Sequence, residues 1–113
     1  MSGTLGPRMT LQTQLVLRAL LDRPTHERYG LELCEAAGLP SGTIHPILAR
    51  LEGMGWLESR WEDVDPTEAG RPRRRYYRLT PDGAERALVA LASARTPLSG
   101  LPGWRPGLAG GAR

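Results

Sequence analysis

The sequence predicts a winged helix-turn-helix, mostly α with a small β-hairpin, in the order α-α-α-β-β-α. Three observations carry that expectation. Two stretches of helical periodicity flank a tight turn at Gly38-Leu39-Pro40. The second stretch is followed by a segment, Trp56 to Glu62, whose apolar and polar residues alternate. Beyond a loop holding Pro66, Gly70 and Pro72 lies a segment able to pair with it, Arg74 to Leu79. Two helices joined by a glycine turn make a helix-turn-helix, and a ribbon after the second helix makes a wing.

Taken in order, Thr10 is an N-cap for a first helix that carries Leu11, Leu15, Val16, Ala19 and Leu20 inward and ends near Asp22, ahead of Pro24. Tyr29 to Ala37 is a second, short helix with Leu31, Cys34, Leu33 and Ala37 as its candidate inward residues, stopped by a left-handed Gly38. Ser41 caps a third helix over 42–53. Its Ile44, Ile47, Leu48 and Leu51 fall at i, i+3, i+4 and i+7. Pro46 stands in its second turn, where it removes one backbone bond and crowds the carbonyl of Gly42 near the fraying end. Leu57, Ser59 and Trp61 share one face of the first wing strand, and Trp56 and Trp61 are read as core and strand-packing residues. Thr80-Pro81 opens a last helix with Ala84, Ala87, Leu88 and Leu91 inward, running to about Ala94. The domain is expected over 9–95, between a flexible tail at 1–8 and a flexible glycine- and proline-rich tail at 96–113.

Composition narrows the function. The chain has 113 residues, 15 basic against 12 acidic, for a formal net charge of +3; every basic residue is arginine. No apolar run approaches the length needed to cross a bilayer. The first ten residues lack the pattern of a secretory leader, so a cytoplasmic protein is expected. One cysteine supplies neither an internal disulfide nor a zinc site. Two histidines and that cysteine have no metal-ligand spacing, and a core thiol is the plain reading of Cys34. There is no phosphate-cradling glycine loop, no paired carboxylates on one predicted face and no nucleophile–base–acid set. The chain is not expected to be an enzyme or to need a cofactor.

The chemistry sits in two places. The third helix leaves Thr43, His45, Pro46, Ala49 and Arg50 pointing outward from its apolar stripe. Small and hydrogen-bonding residues near a helix N-terminus suit entry into a major groove, and the N–H groups near Gly42 and Thr43 suit a phosphate. The plain alternative is an ordinary amphipathic surface helix, although packing alone gives no reason for Pro46. The second place is the wing, 70–78. Arg71, Arg73, Arg74, Arg75 and Arg78 lie there with no acid among them, while the rest of the chain is nearly balanced. Guanidinium forks pair with phosphates, release counterions and fit a narrow minor groove. The plain alternative is a solvated hairpin balanced by Glu62, Asp63, Asp65 and Glu68. A different functional class, a winged-helix module docking an acidic protein partner, uses the same arginines. A thiol- or metal-responsive sensor built on Cys34 is a third.

Four segments in order resemble one family. They are Tyr29-Gly30-Leu31-Glu32-Leu33, Ser41-Gly42-Thr43-Ile44-His45-Pro46-Ile47-Leu48, Arg50-Leu51-Glu52 with Gly55-Trp56-Leu57-Glu58, and Gly70 to Thr80. They are similar to the helix openings, recognition helix and wing of the PadR-like transcriptional regulators. The resemblance covers roughly Leu11 to Leu91, with the proline inside the recognition helix as its most specific mark. It implies a bacterial, nucleoid-associated repressor that dimerises through its first and last helices and binds an inverted-repeat operator in double-stranded DNA. It implies DNA contacts from Tyr29, Ser41, Thr43, His45, Pro46 and Arg50, and from Arg71, Arg73, Arg74 and Arg75 in the wing. The chain departs from the family in carrying His45 where tyrosine is usual. It also has only the glycine/proline tail where members commonly carry a longer C-terminal dimerisation region, so it resembles a short, C-terminally truncated subtype. A small-molecule effector is compatible with the resemblance but has no residues assigned to it.

Overall fold

Helix α1 (Leu11–Asp22) begins where a side chain can replace a missing backbone partner: the amide of Thr13 donates to the Thr10 hydroxyl at 3.1 Å. The structure, a computed structural model, describes residues 9–94. Both expected tails, and Arg95 at the domain's expected end, lie outside these residues. The buried face of α1 is Val16, Leu17, Ala19 and Leu20; Leu11 and Leu15 sit half-buried at its margin. Gln14 is also inside, its side-chain amide donating to the Met9 carbonyl at 3.2 Å.

Two short elements join the expected order. Strand β1 (Arg28–Tyr29) precedes α2 (Gly30–Ala37), and a single turn, α4 (Pro66–Ala69), lies in the wing connection. Two residues are too few for an alternation to be legible, and β1 exists because β3 offers it an edge. Tyr29 is therefore not the first residue of α2 but its extended N-cap, with Glu32 reaching back to accept from its amide at 3.1 Å. Helix α2 stops at Gly38, φ 71°, whose amide donates to the Cys34 carbonyl at 2.8 Å. Its buried residues are Leu33 and Ala37; Cys34 is half-buried, and Leu31, expected inward, is 57% exposed.

Helix α3 (Ser41–Gly53) runs through Pro46, and its stripe of Ile44, Ile47, Leu48 and Leu51 is buried as the spacing requires. Each such side chain withdrawn from water contributes on the order of 1.5–3 kcal/mol. The cap is Pro40, not Ser41: the amides of Thr43 and Ile44 both donate to the Pro40 carbonyl, at 3.0 and 3.1 Å.

Strands β2 (Leu57–Trp61) and β3 (Arg75–Leu79) form the antiparallel wing, with Leu57 opposite Leu79, Ser59 opposite Tyr77 and Trp61 opposite Arg75. The sheet order is β1-β3-β2, so β3 is central and the expected two-stranded hairpin is a three-stranded sheet. Helix α5 (Pro81–Ala92) opens on Thr80, whose hydroxyl accepts from the Gly83 amide at 2.8 Å. It turns Gly83 and Ala87 inward, with Ala84 and Leu91 partly covered. Leu88, expected inward, is 59% exposed. A Cβ on Gly83 would stand 2.1 Å from the Trp56 carbonyl oxygen, so the first turn of α5 is seated directly on the Trp56 backbone.

Candidate nucleic-acid interface

Alternation along β3 sorts the wing residues. Tyr77 and Leu79 face the helices and are buried, and Arg75 lies on that side beyond them. The opposite, outer face carries Tyr76 and Arg78, joined by Tyr29 from β1 and by Glu58 and Arg60 from β2 through register. On this outer face the rings of Tyr29 and Tyr76 meet edge to face, centroids 5.8 Å apart. The Arg74 guanidinium lies 4.2 Å from the Tyr29 ring centroid, and that of Arg60 lies 5.2 Å from the Tyr76 centroid.

The five wing arginines are not equivalent. Arg71 donates to both Glu62 oxygens, at 2.7 and 2.9 Å, and to the Pro72 carbonyl at 3.2 Å. Those hydrogen bonds, reinforced by the Arg74 amide, hold the Glu62 carboxyl down at about 2 despite the opposing effect of burial. Arg78 donates to Glu58 through Nε and Nη2, at 3.0 and 2.7 Å. Arg75 stands 3.6 Å from Glu52 of α3 and stacks over Trp61 at 5.0 Å. Arg73 donates to the Val64 carbonyl at 2.9 Å. Among the described residues, neither Arg73 nor Arg74 enters an ion pair with a carboxylate. The cationic ribbon is thus partly neutralised: Glu62, one of the upstream acids weighed against the arginines, pairs with Arg71, and Glu58 pairs with Arg78.

On α3, His45, Pro46, Ala49 and Arg50 are exposed, as expected, and so is Ser41. Thr43 is half-buried, and its amide is already used by Pro40. The phosphate role expected of that amide is therefore corrected. The imidazole of His45 lies against the first residue of α2: a Cβ on Gly30 would be 3.3 Å from its Cε1. Gly30 follows Tyr29, and Tyr29 lies under Arg74. His45 of α3 and Arg74 of the wing thus lie against consecutive residues, Gly30 and Tyr29, at the start of α2.

Several contributors were not legible in advance. Arg28 donates to the Ala19 carbonyl at 2.9 Å and ties β1 to α1. Glu27 receives two hydrogen bonds from Arg60, both at 2.7 Å, which depress its carboxyl and raise the Arg60 guanidinium. An open cleft of about 580 Å³ on the outer face is lined by Thr25 and His26 together with Tyr29, Arg74 and Tyr76. Thr25 and His26 lie in the turn just before β1, where the His26 amide donates to the Arg23 carbonyl at 3.0 Å. Trp61, read as a packing residue, is 56% exposed and serves as the platform for Arg75.

No group of three or more histidine, cysteine or acidic side chains able to hold a metal occurs among the described residues. No helix among them is long and apolar enough to cross a membrane.

Comparison with known proteins agrees with this architecture. A PadR family transcriptional regulator from Eggerthella lenta superposes with a TM-score of 0.56 at 26% identity, covering 73% of this chain and 73% of that one. A PadR family transcription regulator from Clostridium difficile gives 0.56 at 24% identity, over 71% of this chain and 82% of that one. Overoxidised AbfR, solved bound to DNA, gives 0.56 at 24% identity, over 84% of this chain and 62% of that one. No curated protein matches the sequence. The sequence profile of the transcriptional regulator PadR-like family matches residues 16–88, well over half of the chain. The winged-helix architecture and this match agree, and the chain belongs to the PadR-like family of transcriptional regulators.

Proposed function

We propose that the protein is a sequence-specific repressor that binds an inverted-repeat operator in double-stranded DNA as a homodimer formed through α1 and α5, in the cytoplasm, on the nucleoid. The exposed face of α3 enters the major groove, where Ser41, Thr43, His45, Pro46 and Arg50 meet base edges and the adjoining backbone. The wing grips phosphates or the minor groove. Arg73 and Arg74 make the direct contacts, because no carboxylate competes for them. Arg71 and Arg75 contribute mainly by holding the ribbon's shape, through Glu62 and Trp61. Tyr29 positions Arg74.

One observation supports this reading above the others. His45 packs at Gly30 while Arg74 stacks on the preceding residue, Tyr29, so α3 and the cationic ribbon each reach the start of α2, at consecutive residues. Base readout and phosphate grip need that proximity, since the two kinds of contact divide specificity from affinity.

A gel-shift titration across salt, on random and selected duplexes, tests it. A dimer touching six to eight phosphates gives a log–log salt slope of about −5 to −7. His45→Ala or Thr43→Ala changes the preferred bases, at about 1–3 kcal/mol per lost base contact. Selection from a random pool returns an inverted repeat if the dimer reading is right. A protein that retains no duplex at any salt sinks it and leaves the wing to an acidic protein partner.

A further inference from the structure

Gly30 is the first residue of α2, and its backbone does not require glycine. The left-handed glycines among the described residues are Gly38, Gly55 and Gly70. Gly30 lies in a helix, where alanine is the better residue by propensity. Nor is there a backbone crowding it from another element, as there is at Gly83. The atoms that a Cβ at position 30 would meet belong to a single side chain, His45, with Cε1 at 3.3 Å and Nε2 at 3.9 Å. The first distance is inside ordinary carbon–carbon contact, about 3.5–4.0 Å. A Cβ at position 30 would therefore require the far end of the imidazole to give by a few tenths of an ångström.

His45 is exposed on the outward face of α3, and a solvated side chain there would be spread over several rotamers. Lying across the start of α2, it is restricted from one side before any partner arrives. Readout of a base edge depends on direction, so a ring already held in place discriminates better than a mobile one.

We propose that Gly30 is a positioning residue for sequence readout: its missing side chain lets the His45 imidazole rest across the N-terminus of α2 and fixes the direction from which that ring meets DNA. The proposal rests on the DNA reading above. Gly30 itself touches no base. Adding one methyl group at position 30 makes the ring give by a few tenths of an ångström or leave for another rotamer, while the wing arginines stay where they are.

The experiment selects duplexes from a random pool with the full chain, with Gly30→Ala, with His45→Ala and with the double variant. Gly30→Ala is expected to change preference by about tenfold at the base pair that His45→Ala also affects, and only there. The double variant is expected to behave as His45→Ala does. The thermal midpoint and salt slope of Gly30→Ala stay at those of the unchanged protein or above in stability, which a merely structural role would not produce. An unchanged preference in Gly30→Ala, or one altered at positions that His45→Ala leaves alone, overturns the proposal. If the unchanged protein retains no duplex, the DNA reading falls and the readout role with it. Through-space NMR contacts between the His45 ring protons and the Gly30 α-protons in the free protein then separate the two failures: their presence keeps the packing, and their absence removes that too.

Discussion

The two ends of the β2–β3 ribbon are built on opposite principles. At the base, Leu57 and Leu79 face each other in the core. Thr80 then seals the ribbon to the helices. Its amide donates to the Trp56 carbonyl at 3.0 Å, its hydroxyl donates to the Gly55 carbonyl at 2.9 Å, and the same hydroxyl accepts from Gly83. At the tip, Trp61 stands opposite Arg75, and the chain is held by guanidinium groups on carboxylates, carbonyls and aromatic faces. Buried side chains and sheltered backbone hydrogen bonds carry most of a domain's stability, whereas exposed ion pairs contribute about 0–1 kcal/mol each. The base therefore holds the fold and the tip displays charge, and substitutions at the two ends should separate stability from binding.

The largest effect belongs at the base. Gly83→Ala drives a Cβ into the Trp56 backbone, which cannot rotate away as a side chain could. Overpacking of this kind typically costs about 1–3 kcal/mol, and a clash with backbone belongs at or beyond the top of that range. Denaturant unfolding should show the loss in the midpoint. A Gly83→Ala protein as stable as its parent would mean that α5 is not seated on Trp56, and the contrast between the ends would fail with it.

At the tip the order reverses. Arg74→Ala should leave the unfolding midpoint within about 0.5 kcal/mol. It should weaken binding to every duplex by a similar factor and flatten the salt slope by about 1, as loss of one phosphate contact does. Arg73→Ala should behave likewise. Arg71→Ala should differ, because its guanidinium is committed to Glu62: a smaller change in slope with a measurable loss of stability is expected. Gel shifts at several salt concentrations, paired with unfolding curves, check all three. Equal slope changes for Arg71 and Arg73 would erase the distinction between bracing and contacting arginines.

The base was more legible in sequence than the tip, for physical reasons. Periodicity reports burial, so the stripe from Ile44 to Leu51, the Gly38 stop and the Thr80-Pro81 helix start could be read directly. It fails where a helix is too short to choose between faces. In the eight residues of α2, Leu31 with Cys34 and Leu33 with Ala37 have similar spacing, and only packing selects the second pair. It fails again on α5, where Gly83 and Ala87 are inside and Leu88 is exposed, since the seating of Gly83 on the Trp56 backbone is a tertiary contact that spacing does not report. On the candidate interface, residue types located the wing and the outward face of α3, and a surplus of arginine was plain. Which arginines are engaged was not, since Glu58 and Glu62 come from the facing strand and its extension. Their pairing depends on register and side-chain reach that composition does not contain. Tyr29 was singled out by resemblance, yet the stacking of Arg74 on its ring follows from β1, a strand of two residues that exists only against β3.

The smallest expected effect tests the brace at the tip through pH. The Glu62 carboxyl is held at about 2, below its ordinary value of 4.5, chiefly by the Arg71 hydrogen bonds. A carboxyl depressed in the folded state binds its proton more readily once the chain unfolds, so stability falls with pH across this interval. Its contribution is fully present above about pH 4.5 and is lost as pH falls through about 2. Glu62→Gln cannot titrate and keeps only a weaker, neutral acceptor for Arg71. It should therefore be somewhat less stable than the parent at pH 6, and the gap should close on acidification between pH 4.5 and 2. Denaturant unfolding at a series of pH values measures that gap. Curves that stay parallel would mean that Glu62 is not clamped in solution. Arg71 would then be as available to phosphate as Arg73, and the tip would be a loose cationic loop instead of a braced one.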